Sequence, residues 1–144
     1  MLFRSFVGTL SQIVKENFAV RDAVEGEKVV QSTLVALLIA AGGPYFVKHE
    51  RESGGGFYDI ALEPQLLRWP DIAHAALIEM KYVKAGDSAP TVDELAKIKA
   101  DAVAQLDKYS AAPQLVKEWR LNTVALHRLV LVFHGGECVL SEEV

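Results

Sequence analysis

A chain of 144 residues and 15.8 kDa has the length of one ordinary domain, and a domain of that size buries roughly two thirds of the surface its unfolded form exposes. Its composition is 51% hydrophobic and 24% charged, with ten Gly and five Pro, which excludes disordered, collagen-like and low-complexity classes. A net charge of −4 and a pI near 5.5 exclude a domain that grips nucleic acid over its whole surface, so any such contact must be local or metal-assisted.

The single cysteine, Cys138, rules out an intramolecular disulfide framework and a Cys-rich zinc site, which points to a reducing, cytoplasmic setting. The longest apolar stretch, Val29 to Ala41, is interrupted by Gln31, Ser32 and Thr33 and falls short of the about 20 residues a membrane span needs. No signal-peptide pattern precedes Lys15 and Glu16. The expectation is one domain over residues 1–144, with a helical lead over 1–23 and a core over 24–140.

In chain order, Leu2, Phe3, Phe6, Val7, Leu10, Ile13 and Val14 recur at helical spacing and predict a first helix over about 2 to 17. Val30, Leu34, Leu37, Leu38 and Ala41 share a face of a second helix, from about Val24 to the stop at Gly42-Gly43-Pro44, with Glu27 in its first turns. The period then falls to two. Tyr45 to Glu50, the run Ser53-Gly54-Gly55-Gly56, and Phe57 to Leu62 read as a β-hairpin ended by Pro64. A third, more apolar strand, Ala75 to Val83, is expected at the centre of the sheet. Thr91 and Glu94 form a capping box for a helix running to about Tyr109, where Leu95, Ile98, Ala102 and Leu106 mark the apolar side. Pro113 blocks its continuation. A short helix over Gln114 to Trp119 follows, then a strand over Leu126 to Phe133, the turn at His134-Gly135-Gly136, and a final strand over Glu137 to Leu140. The order predicts an α/β sandwich on a mixed sheet.

The chemistry concentrates on adjacent strands. In Ala75 to Val83, alternation turns Glu79 and Lys81 to the face opposite Ile78, Met80 and Tyr82; in the preceding strand Asp59 lies opposite Tyr58, Ile60 and Leu62. If the two strands pair, two carboxylates and a lysine converge. Such an oxygen site suits Mg²⁺ or Mn²⁺, and the lysine can orient a metal-bound water or, as the free amine, deprotonate it, as phosphodiester hydrolysis requires. A purely structural salt bridge of Lys81 with Asp59 or Glu79 accounts equally well for charges in the middle of an apolar strand.

The segment Arg51-Glu52-Ser53-Gly54-Gly55-Gly56-Phe57-Tyr58-Asp59-Ile60-Ala61-Leu62-Glu63-Pro64, followed by Leu77-Ile78-Glu79-Met80-Lys81-Tyr82-Val83-Lys84, resembles the PD-(D/E)XK nuclease superfamily. It is most similar to the nuclease-like domain at the C-terminus of bacterial AAA-ATPase-like proteins. The family's ordered motifs are matched by Glu27, Asp59, Glu79, Lys81, Gln105, Leu106 and Tyr109. The resemblance implies a restriction-endonuclease-like core in αβββαβ order and a nucleic-acid substrate, DNA ahead of RNA. It implies Asp59 and Glu79 as metal ligands with the Met80 carbonyl, Lys81 as the group acting on water, and Glu27 and Gln105 as supporting catalytic residues. Phe57 stands where the family carries Arg, and Val30 and Gln31 stand where it carries an aromatic-His pair. No Gly-rich phosphate loop ending in Lys-Ser or Lys-Thr occurs, so no ATPase domain is expected within these residues. The alternative is a catalytically silent module on the same fold that acts through a protein partner or as a homo-oligomer.

The remaining candidates are weaker. His49, His74, His127 and His134 show no zinc-ligand spacing with one another or with Cys138, and a Cys138–His134 nucleophile pair lacks a third orienting group. Arg51, Lys84, Lys97 and Lys99 are interleaved with Asp87, Asp93, Glu94 and Asp101, which reads as a solvated face rather than a basic rim.

Overall fold

The computed structural model describes residues 27–41, 43–53, 56–84 and 86–144. The helix expected over 2 to 17 and the middle of the Gly-rich turn lie outside the described residues. The described order is α1 (Glu27–Ala41), β1 (Tyr45–Ser53), β2 (Gly56–Pro64), β3 (His74–Val83), α2 (Val92–Ser110), α3 (Pro113–Glu118), β4 (Ala125–His134) and β5 (Glu137–Glu143). The expected αβββαβ order holds, and α3 and β5 are the short helix expected over Gln114 to Trp119 and the final strand expected over Glu137 to Leu140.

β-Branched residues at Val29, Val30, Thr33, Val35 and Ile39 make α1 an indifferent helix by propensity alone, so packing must hold it. Val30, Leu34, Val35 and Leu38 are buried against one face of the sheet, on Ile60, Leu62, Ala76, Ile78, Met80, Leu129, Leu131 and Phe133. Its chain then turns through Gly43, whose φ of +99° excludes other residues without strain.

The strands form one five-stranded sheet in the order β1-β2-β3-β4-β5, with β3 at its centre. β1, β2 and β3 are successively antiparallel, β3 and β4 are parallel, and β5 returns antiparallel to β4. A parallel neighbour demands a long crossover, which α2 and α3 supply. They bury the second face: Ala61, Ala75, Leu77, Val130 and Val132 pack against Ala102, Leu106, Tyr109, Leu115 and Trp119. Because β3 is covered on both faces, its residues from Ala75 to Met80 are all buried, which explains why it reads as an apolar run.

α2 begins where the sequence predicts. The Thr91 side chain accepts a hydrogen bond from the Glu94 amide at 3.2 Å. Thr91→Ala is expected to cost about 1 kcal/mol, read as a fall in melting temperature of roughly 3 °C.

Candidate active site

The pairing of β2 with β3 starts at Leu62–Ala76 and ends at Ile60–Ile78. Beyond that point the two strands carry no further backbone pairs, and the Met80 N–H on β3 needs another partner. It donates instead to Asp59 Oδ2 at 2.7 Å, so an aspartate side chain takes the place of the ladder. The N–H and C=O of one strand residue point to the same side, so the Met80 carbonyl also faces this fork.

Glu79 sits one residue earlier, on the α2 face, and is only 3% exposed. Its Oε1 lies 3.2 Å from Lys81 Nζ, whereas its Oε2 is buried and accepts no hydrogen bond. Lys81 Nζ also donates to Gln105 Oε1 at 2.9 Å. Strand alternation puts Glu79 and Lys81 side by side, and α2 lays Ile98, Asp101, Gln105 and Tyr109 over them at helical spacing. Burial raises the Glu79 carboxyl to about 7; Asp59 and, more weakly, Glu27 push the same way, and Lys81 opposes them.

These groups line one cleft of about 510 Å³ with Glu27, Tyr82 and Val83. Glu27 reaches it from α1, although α1 covers the opposite face of the sheet, because the site lies where the strands part. The six residues to which the resemblance gives a metal-binding or catalytic role, Glu27, Asp59, Glu79, Met80, Lys81 and Gln105, all line the same cleft, and none of the histidine and cysteine candidates does. Asp101 does so too, which the reading of α2 as a solvated face missed; its separation of four from Gln105 was the available signal. Lys99 turns away to pair with Glu142. His134 bonds the Asp87 carbonyl at 2.8 Å and Cys138 the Leu140 carbonyl at 3.3 Å, so the two are engaged with different partners.

Among the described residues, no three His, Cys, Asp or Glu side chains stand close enough to chelate an ion unaided. The cleft nevertheless fits a hard divalent cation. Mg²⁺ keeps several waters and takes only one or two carboxylates plus phosphate oxygens, and Glu79 Oε2 is a buried acceptor with nothing else bound to it. Against four lining acids, Glu27, Asp59, Glu79 and Asp101, the cleft sets one lysine.

A family model described as the PD-(D/E)XK nuclease superfamily matches residues 25–143. Searches of curated proteins and of solved structures each return no match. No helix among the described residues is long and apolar enough to cross a membrane.

Proposed function

This chain belongs to the PD-(D/E)XK nuclease superfamily, and from that membership and the geometry of the cleft we propose that it hydrolyses nucleic-acid phosphodiester bonds with Mg²⁺ or Mn²⁺, acting in the cytoplasm on DNA ahead of RNA. The observation that carries this reading is Glu79: a buried carboxylate with one unsatisfied oxygen, beside Asp59, at the fork of β2 and β3. A structural pair would leave neither oxygen orphaned, since such an atom costs about 1 to 3 kcal/mol.

Asp59, Glu79 and the Met80 carbonyl are assigned to hold the ion. When bound, it supplies positive charge to the phosphate and lowers the pKa of water. Lys81, fixed between Glu79 and Gln105, carries its amino group into the cleft, where the ammonium orients the attacking water and the free amine takes its proton. Glu27 adds a further acceptor from α1, and Gln105 holds Lys81 in place.

A catalytically silent interaction module on the same fold is the second reading, and the 3.2 Å contact between Lys81 and Glu79 favours it. Endonuclease assays on DNA and RNA in Mg²⁺ or Mn²⁺, comparing wild type with Asp59→Asn, separate the two. Cleavage by the wild type alone is expected; identical, chelator-insensitive traces for both proteins contradict the reading.

The lining charge gives a second expected result. Four acids around one lysine repel phosphate, so the affinity of the wild type for nucleic acid is expected to fall at least about tenfold when Ca²⁺ is replaced by chelator. Fluorescence anisotropy at fixed ionic strength measures this, and equal affinity in both buffers contradicts it.

A further inference from the structure

We propose that His74 and His127, with Glu143 bonded behind the His127 ring, form a second site of two imidazole ligands and water, for a borderline transition-metal cation such as Zn²⁺, Cu²⁺ or Ni²⁺, at the end of the sheet away from the carboxylate cleft. The proposal is independent of hydrolysis. The cleft is lined by the last residues of β3, from Glu79 to Val83, whereas His74 opens that strand.

Register brings the three side chains together. In the parallel pair of β3 and β4, His74 stands opposite Ala125 and His127 opposite Ala76, so the two histidines are diagonal neighbours. The antiparallel pair of β4 and β5 sets Glu143 opposite Leu129, two residues beyond His127 and therefore on the same face. A chain of contacts results: Glu143 Oε1 to His127 Nδ1 at 2.5 Å, and His127 Nε2 to His74 Nδ1 at 2.9 Å. The Tyr45 hydroxyl donates to the His74 carbonyl at 2.8 Å and anchors the strand end beneath the cluster.

The chemistry of the partners fixes the arrangement. An ionised carboxylate only accepts, so His127 carries a hydrogen on Nδ1, and in the neutral ring the lone pair is then on Nε2, the nitrogen that faces His74. That tautomer, with a carboxylate behind the ring, is the state in which histidine binds metal. His74 Nδ1 faces the same point, so the two nitrogens share a hydrogen where a cation can replace it. Two metal–nitrogen bonds of about 2.0 to 2.1 Å at a tetrahedral angle set the nitrogens about 3.3 Å apart, so the rings must part by a few tenths of an ångström and turn until both lone pairs meet the ion. The exposure of His74 allows that movement and lets water complete the coordination. Imidazole ligands select Zn²⁺, Cu²⁺ and Ni²⁺, whereas the oxygen-lined cleft selects Mg²⁺ and Mn²⁺. A bound cation would tie the start of β3 to the end of β5 through β4.

Electron paramagnetic resonance of the full chain with one equivalent of Cu²⁺ tests the site. The wild type is expected to show nitrogen couplings from two imidazoles, and His74→Ala and His127→Ala at most one each. Glu143→Gln keeps both couplings but weakens binding by about 10- to 100-fold, as loss of an outer carboxylate does. Asp59→Asn leaves the spectrum unchanged, because no histidine lines the cleft among the described residues. A two-nitrogen signal that survives His127→Ala, or a wild type without nitrogen coupling, overturns the proposal. If His127→Ala fails to fold by circular dichroism, His74→Ala, at an exposed position, carries the same test.

Discussion

Lys81→Met is expected to lower phosphodiester cleavage by roughly 10² to 10⁴, the contribution of one positioned acid–base group, while Mn²⁺ still binds. The methionine keeps an apolar stem of similar length and leaves both carboxylates of the fork in place. Only the ammonium between Glu79 and Gln105 is lost. Removing it takes a competing cation from Glu79, so metal affinity is expected to hold or rise. Were Lys81 only the structural partner of Glu79, the same substitution would change no activity, and Mn²⁺ would not relieve the cost of about 3 to 5 kcal/mol for stranding a buried carboxylate. Single-turnover cleavage rates and thermal melts on one preparation decide between these outcomes.

Glu79→Gln is expected to stabilise the metal-free protein by about 3 kcal/mol at a pH of about 8 and by almost nothing at about 4. The sign follows from the shift. The folded-state pKa of about 7 lies above the ordinary value of 4.5, so the fold binds the Glu79 proton more tightly than the unfolded chain does. The stability tied to that proton is complete below pH 4.5, declines as pH rises toward 7 and is gone above it. A neutral glutamine does not lose it. The favourable contact with Lys81 is already included, since the shift persists despite it. Melting curves in chelator across this range check the prediction, and a variant less stable than wild type at about pH 8 would show that the ion pair outweighs burial. A carboxylate that destabilises its own fold is a common mark of a site kept for function.

Much of this was legible in the sequence, for identifiable reasons. The hairpin of β1 and β2 followed from alternation around a glycine run, and α2 from its capping box. The central place of β3 followed from an apolar run too continuous for a half-exposed strand. Asp59, Glu79 and Lys81 were readable because period-two alternation assigns faces without knowledge of the fold. Glu27 and Gln105 were reached only through resemblance, since nothing local says that two helices on opposite faces of a sheet meet at one cleft.

The fork itself left no trace in composition. Where a ladder stops depends on the twist and packing of both strands, so the bond from the Met80 amide to Asp59 belongs to the structure alone. The cluster of His74, His127 and Glu143 was invisible for a related reason: residues separated by 53 and 16 positions meet through a parallel and an antiparallel register, and no ligand spacing in the chain encodes that. Asp101 was misread because alternating charge on a helix usually means solvent, and here the exposed residue borders the cleft.

On the proposed assignment, Asp59 and Glu79 are both ligands of one hard divalent cation. Calorimetric titration of the wild type, Asp59→Asn and Lys81→Met with Mn²⁺ tests it most directly, since Mn²⁺ favours carboxylate oxygen over imidazole. Binding by the wild type and by Lys81→Met, with loss of that binding in Asp59→Asn, is the predicted result. A wild type that takes up no Mn²⁺, or an Asp59→Asn protein that binds it as tightly as wild type, contradicts the assignment.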